Sequence, residues 1–407
     1  MTTRFFKVVA LAAFLLFSVK SQACTTVIFS GKATLSGKPV MLKNRDTGEL
    51  NNRLELFKGP SFHFVGLVNS PRRNPGEVWA GVNEKGFCIM NTASYNFKED
   101  DIPADKMDGE GILMFKALGI CETVEDFELF LSEYPKPMYV EANFGVIDAN
   151  GGAAYFEVNN TRWVKYDVND PETAPDGYRV VTNFCRAGRK ENYQGWERFL
   201  TASAVMEELP RDENNLYDVD HNILINSLCR SYRHEFLGLK NIDGFDVFID
   251  RDFIPRKSTA SAVVFEGVRP GENPSHTLMW SLLGYPAVSV AVPVLVGNDD
   301  IIPEYLKKTA DSRNSELCST ALKLKDGNIF RFKVSSGANY FDASAVRKMI
   351  PLAVSVENFI NEDFESIYVP WEKGEISDES FYDTYIVKSK SYYRKYLDAF
   401  GCFLKND

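Results

Sequence analysis

The residues ahead of Cys24 decide where the folding chain begins. Arg4 and Lys7 lead into an apolar run from Val8 to Val19, and the polar stretch Lys20-Ser21-Gln22-Ala23 follows. Small side chains at Ser21 and Ala23 fit the rule for signal-peptide cleavage. The apolar run is shorter than the roughly 20 residues that span a bilayer. The sequence therefore predicts a leader over residues 1–23 and cleavage between Ala23 and Cys24. The mature chain is expected to be secreted or periplasmic, with a cysteine at its head.

A cysteine in that place carries a thiol and a free α-amine on one residue. An unperturbed amine titrates at about 7.7–8.0 and a thiol at about 8.5. Near neutral pH a useful fraction of the amine is free to take the thiol proton, so the pair is a nucleophile with its own base. Two other readings of Cys24 stay open. It is either the lipid-bearing cysteine of a bacterial surface lipoprotein or an ordinary structural residue near a first strand. Lipidation normally wants an aliphatic side chain three places earlier, where this chain has Ser21.

Composition narrows the classes. The chain has 407 residues with 44% hydrophobic and 25% charged residues, the balance of a globular protein able to bury a large core. Its formal charge of −10 becomes −13 once Arg4, Lys7 and Lys20 leave with the leader. So acidic a chain offers no footprint for nucleic acid. No apolar run after the leader reaches spanning length, so no membrane span is expected. The seven cysteines are widely and irregularly spaced without a C-x-x-C pair, so neither a zinc site nor a disulfide framework is indicated. An odd number leaves at least one thiol free, and Cys24 is the candidate. Cys88 and Cys121 sit in apolar patterns and read as small core residues.

Strand patterns recur at residues 25–29, 39–43, 62–68, 78–82, 87–91, 144–148, 153–158, 178–182, 261–266, 277–282 and 288–294. Turn residues such as Asn83-Glu84-Lys85-Gly86 and Ala149-Asn150-Gly151-Gly152 join several of them as hairpins. Helical periodicity is found at 109–121, 124–133, 193–208 and 222–232, with Thr123 as N-cap of the second. Hairpins outnumber βαβ units, so the expectation is an α+β fold of mainly antiparallel sheet with helices layered against it. From residue 298 onward the pattern turns helical and charged (315–324, 343–364, 376–400), which predicts a helical C-terminal extension packed on the core. A homo-oligomer contact there stays open.

Only four histidines are present, none at metal-ligand spacing, and there is no H-E-x-x-H, P-loop, dinucleotide fingerprint or G-x-S-x-G elbow. Neither metal nor cofactor is expected. The scarcity of histidine fits a nucleophile whose base is its own amine. Against that background, Cys24-Thr25-Thr26-Val27-Ile28-Phe29-Ser30-Gly31, then Gly37-Lys38-Pro39 and Lys43-Asn44-Arg45-Asp46, resembles the start of an N-terminal-nucleophile (Ntn) hydrolase. The similarity is to the linear amide C–N hydrolases: choloylglycine hydrolases, penicillin V acylases and isopenicillin-N acyltransferase-like proteins. Ntn cysteine dipeptidases begin in a similar way. Gly81-Val82-Asn83-Glu84-Lys85-Gly86-Phe87, Val181-Thr182-Asn183-Phe184 and Trp196-Glu197-Arg198-Phe199 resemble later motifs of the family, in the right order.

The resemblance implies a four-layer αββα sandwich over residues 24–297, with residues 298–407 as the extension outside it. It implies cleavage of a small-molecule acyl amide through an S-acyl-cysteine intermediate, with acyltransferase and dipeptidase chemistry as alternatives. Cys24 would be the nucleophile, Asp46 would hold its amine, and the Asn183 side-chain N–H would serve the oxyanion. The family carries arginine three residues before this aspartate, where Lys43 stands here. Residues 43 and 45 share a strand face, so Arg45 either supplies the missing guanidinium, with Lys43 as a charged neighbour, or forms a surface pair. An ungapped match puts Ala93 where choloylglycine hydrolases have a second asparagine, and Asn91, on the same strand face, is either its shifted substitute or an ordinary strand-end asparagine. Arg198 either orients the site, pairs with a substrate carboxylate, or is an exposed helix residue.

Overall fold

The computed structural model describes residues 23–71, 76–297, 300–308, 313–332 and 338–404. The expected leader, apart from Ala23, lies outside them. Thr25-Thr26-Val27-Ile28 supplies the β-branched side chains that favour strand, and β1 (Ala23–Phe29) is buried along its whole length. It turns back antiparallel into β2 (Val40–Asp46), with Cys24 opposite Arg45, Thr26 opposite Lys43 and Ala23 opposite Asp46.

The chain then runs a seven-stranded antiparallel meander: β3 (Asn52–Lys58), β4 (His63–Asn69), β5 (Ala80–Asn83), β6 (Cys88–Ala93), β7 (Ala142–Ile147), β8 (Ala153–Val158) and β9 (Trp163–Asp167). Helices α1 (Glu110–Leu118) and α2 (Val124–Glu133) cover its outer face. Phe127 of α2 packs against Phe87, Phe144 and Phe156 there. Thr123 caps α2 in a reciprocal capping box with Asp126.

Residues that follow complete the sheet begun by β1 and β2. β10 (Tyr178–Val181) flanks β1, while β12 (Thr259–Glu266), β13 (Leu278–Leu283) and β14 (Val292–Val294) extend from β2. Helices α3 (Trp196–Glu207) and α4 (His221–Leu224, continued by a π-helical turn to Cys229) cover its outer face. The two sheets meet face to face, as the Tyr155 hydroxyl of β8 donating to Thr26 Oγ1 of β1 shows (2.9 Å). The protein is thus α+β in four layers, αββα.

A short ladder pairs β11 (Val247–Ile249) with β15 (Tyr340–Asp342). Helices α5 (Glu316–Leu324), α6 (Ala343–Glu372) and α7 (Asp378–Leu404) pack near β13, β14 and one another. α6 runs eight residues past its expected end and through Pro351 and Pro370. Burial of Ile360, Phe364, Tyr368 and Trp371 outweighs the hydrogen bonds that proline forfeits. The strand expected over residues 288–294 forms only at 292–294. Arg230 takes the carbonyls of Pro286 and Ser289, and Val288 closes a turn on Tyr285, so those groups are lost to the ladder.

Candidate active site

Strand alternation sorts the residues of β1 and β2 onto two faces. Directly opposed residues of an antiparallel pair share a face, so Cys24, Arg45, Thr26 and Lys43 point together into the space between the sheets. Thr25, Asn44 and Asp46 take the other face, under α3 and the segment before β12. Cys24 is buried, with 4% of its surface exposed.

The backbone nitrogen of Cys24 donates to Asn183 Oδ1 at 2.9 Å. Asn183 lies just beyond the end of β10, which pairs with β1, and it is fully buried. Its Nδ2 donates to Ala93 O (2.8 Å). In this arrangement the Asn183 amide oxygen serves the nitrogen of Cys24, whereas the sequence pointed to its N–H as a donor for the oxyanion. Arg198, in the first turn of α3, is 1% exposed, unlike a surface helix arginine. It donates to Cys24 O (2.6 Å), Thr25 Oγ1 (3.1 Å), Asn183 Oδ1 (2.8 Å) and Asp252 Oδ1 (2.9 Å). Gly195 makes that approach feasible: it adopts φ +76, and a Cβ there would come within 2.4 Å of Arg198 Nη2.

Asp46 lies opposite Ala23 and is 1% exposed. It accepts from Arg256 Nε (2.7 Å), Thr259 Oγ1 (2.6 Å) and Asn44 Nδ2 (3.2 Å). The hydrogen bond from the Cys24 nitrogen goes to Asn183, in a chain where that nitrogen still belongs to the Ala23–Cys24 peptide. Burial pushes the Asp46 carboxyl above its ordinary range, against the pull of Arg256 and Arg198.

On the thiol side, Arg45 is 2% exposed, donates from Nη2 to Asn69 Oδ1 (2.9 Å), and lies 5.0 Å from the Trp79 ring centroid. Its Nη1 is buried without a hydrogen-bond partner among the described residues. Burial lowers its pKa to about 10, with the Cys24 sulfur opposing, so it stays a cation at neutral pH. Lys43 is 1% exposed and donates to Trp79 O and to Asn91 Oδ1 (2.7 Å). Burial lowers its pKa to about 7, offset by Cys24 and pushed further down by Arg45. Lys43 therefore orients Asn91, which is 3% exposed in β6, by holding its oxygen.

Of the six residues expected from the sequence, Arg45, Asn183 and Arg198 meet Cys24 by ladder or hydrogen bond, Asp46 stands opposite Ala23, and Asn91 is joined only through Lys43, whose ladder partner is Thr26. Sequence reading missed Asp252, Arg256, Thr259, Asn69 and Trp79. The acid–base spacing Asp252 to Arg256, ahead of a strand, was the one signal available. By contrast, Asn83 of the G-x-N-E-x-G hairpin is structural, donating to Leu118 O and Cys121 O while its oxygen accepts Lys85 N and Phe87 N. All seven cysteines are unpaired, and Cys88 and Cys121 are core residues. Among the described residues no group of histidine, cysteine and carboxylate side chains is arranged to hold a metal ion. No helix among them is long and apolar enough to cross a membrane.

No family model matches the chain. No curated protein matches it by sequence. Solved structures do resemble it. An N-acylethanolamine-hydrolyzing acid amidase ortholog from Caenorhabditis elegans aligns over 62% of this chain and 93% of its own, at 15% identity and TM-score 0.40. A variant of conjugated bile acid hydrolase from Clostridium perfringens aligns over 72% and 98%, at 11% identity and TM-score 0.41. Penicillin V acylase from Agrobacterium tumefaciens aligns over 68% and 87%, at 13% identity and TM-score 0.38. Identities and TM-scores at this level leave the functional reading to rest on the chain's own residues.

Proposed function

We propose that this chain is an Ntn hydrolase of the linear amide C–N hydrolase family. It would be exported and would cleave a small-molecule acyl amide through an S-acyl-Cys24 intermediate. The observation that carries the reading is the set of polar groups gathered on both sides of Cys24. Asn183 and Arg198 hold its backbone, and Arg45 stands opposite with a buried N–H that has no partner among the described residues.

The geometry supports the following division of labour. Cutting the Ala23–Cys24 bond turns the nitrogen held by Asn183 into an amine and removes the residue opposite Asp46. The new ammonium then has the Asp46 carboxylate one residue along the neighbouring strand and an amide oxygen already in hydrogen-bond contact. The free amine takes the thiol proton as Cys24 Sγ attacks the substrate carbonyl carbon. The oxyanion that forms needs donors in place beforehand. Arg45 Nη1 and the Nδ2 of Asn91, whose oxygen is occupied by Lys43, are the groups suited to it. Collapse breaks the C–N bond, and the ammonium returns its proton to the leaving nitrogen. Water, activated by the same amine, then hydrolyses the thioester; an acceptor amine in its place would give acyl transfer.

Burial of Cys24 within a sheet, with both neighbours paired, also supports the nucleophile over a lipid-bearing cysteine, which must sit at a surface. The test is a screen of N-acyl amides against the exported protein and its Cys24→Ala variant. Turnover confined to the parent, with an acyl adduct on Cys24 by intact mass, is expected. Equal turnover by the variant would move the nucleophile elsewhere.

A further inference from the structure

The arginine that holds Cys24 and the one that holds Asp46 do not act separately. Arg198 Nε and Arg256 Nη1 both donate to one oxygen of Asp252, Oδ1, at 2.9 and 2.5 Å. Arg198 then reaches Cys24 O and Asn183 Oδ1, and Arg256 reaches Asp46 Oδ2. The contacts form one unbroken path, from Cys24 through Arg198, Asp252 and Arg256 to Asp46, whose ladder partner is Ala23. Two guanidiniums this close repel unless a carboxylate stands between them. Asp252 itself lies in neither a strand nor a helix.

We infer that Asp252 is a positioning residue that locks Arg198 and Arg256 into one unit around the nitrogen of Cys24. The inference rests on the reading of Cys24 as an N-terminal nucleophile. Asp252 touches neither substrate nor the reacting atoms. It fixes the guanidinium that orients Asn183 and the one that orients Asp46, and it cancels one of their two charges. The charged and titratable groups around this unit are Asp46, Asp250 beside Arg256, and His234, which faces Asp252, Glu197 and Arg251; Cys24 itself is faced by Arg45 and by Lys43, whose pKa of about 7 is common to the parent and its variants.

Removing the carboxylate charge while keeping the shape frees one positive charge beside the nucleophile. That should favour deprotonated groups there at lower pH while loosening their alignment. The test needs no substrate. Iodoacetamide alkylation at Cys24 is followed by peptide mass from pH 5 to 9 in the exported protein, Asp252→Asn and Asp252→Glu. The pH–rate profile of Asp252→Asn should be displaced about one unit toward acid, making alkylation about tenfold faster at its acid end. Asp252→Glu, which keeps the charge, should return most of the wild-type profile. Should Asp252→Asn not accumulate as folded protein, Asp252→Ser, also uncharged, is read the same way. A neutral variant with the wild-type profile overturns the role of Asp252 and leaves the Cys24 reading standing. A wild-type protein in which Cys24 is not the free first residue overturns both.

Discussion

Arg45 stands directly across the β1–β2 ladder from Cys24, and its Nη1 is buried with no hydrogen-bond partner among the described residues. A buried guanidinium N–H left open costs free energy, and one left open beside Cys24 is suited to the oxyanion role proposed above. Arg45→Met is predicted to lower kcat by about 10²–10³, the cost of losing one oxyanion donor, or about 2.7–4 kcal/mol. Arg45→Lys should retain part of the rate, because it keeps the charge without the fork. Steady-state kinetics on whichever acyl amide the parent cleaves decides this. A Met variant at wild-type rate would remove Arg45 from the chemistry.

Asp46 is expected to matter twice over. Asp46→Asn should lose turnover, since a neutral amide holds an ammonium less well than a carboxylate does. It should also lose stability, because Arg256 is left facing no charge at that position; breaking a buried pair costs about 3–5 kcal/mol. The partial exposure of Arg256 and its bond to Asp252 place the expected loss at the low end of that range. The double variant Asp46→Asn, Arg256→Met should regain stability in urea titrations while remaining inactive. Recovery of activity along with stability would return Asp46 to a structural role.

Much of this site is legible in the amino-acid sequence, for identifiable physical reasons. The strand period puts Lys43 and Arg45 on one face, and both do point into the space between the sheets. What depends on long-range pairing is hidden from the sequence. That β12 lies beside β2 and brings Thr259 and Arg256 to Asp46 is not written in either segment alone. Strands β3 and β9 escape the pattern because they are the edges of the seven-stranded sheet. Their charged residues, Arg53, Glu55, Lys58, Lys165 and Asp167, interrupt the apolar alternation as edge strands commonly do. The expected helix over 222–232 instead gives way after Leu224 to a wider turn ending at Cys229, next to the buried Arg230.

Arg230 joins the layered core to α6. It makes a bidentate pair with Glu357 (2.6 and 2.7 Å), both partners being almost fully buried, and Glu357 also accepts from Ala291 N. Arg230→Met alone should destabilise by about 3–5 kcal/mol by leaving a buried carboxylate unpaired. Arg230→Met with Glu357→Leu should recover much of that in chemical denaturation. Equal stability of the single variant and the parent would mean that α6 is held by its apolar face alone.

A second tie to α6 predicts a pH window. His221 stacks on Trp280, its Nδ1 lies 2.9 Å from Glu266 Oε1, and its Nε2 lies 3.2 Å from Asn361 Oδ1 of α6. For Glu266 burial opposes ionisation, but His221 and the Trp280 N–H win and lower its pKa to about 2. For His221 burial is likewise outweighed, by Glu266, and its pKa is raised. A lowered carboxylate stabilises above its unfolded pKa of about 4.3 and loses that contribution as pH falls toward 2. A raised histidine stabilises fully below about 6.5 and loses it as pH rises through the folded value. The pair's contribution should therefore peak between about pH 4.5 and 6.5. Thermal melts of the parent and His221→Gln across pH 3 to 9 should differ most in that window. A difference independent of pH would mean that packing on Trp280, rather than charge, makes the contact.

The central claim concerns the first residue of the working protein. Intact mass and N-terminal sequencing of the exported native chain test it most directly. A chain that begins with unmodified Cys24 is the predicted result. A lipidated Cys24, or a first residue elsewhere, would contradict the account, because Cys24 would then lack a free thiol paired with its own α-amine.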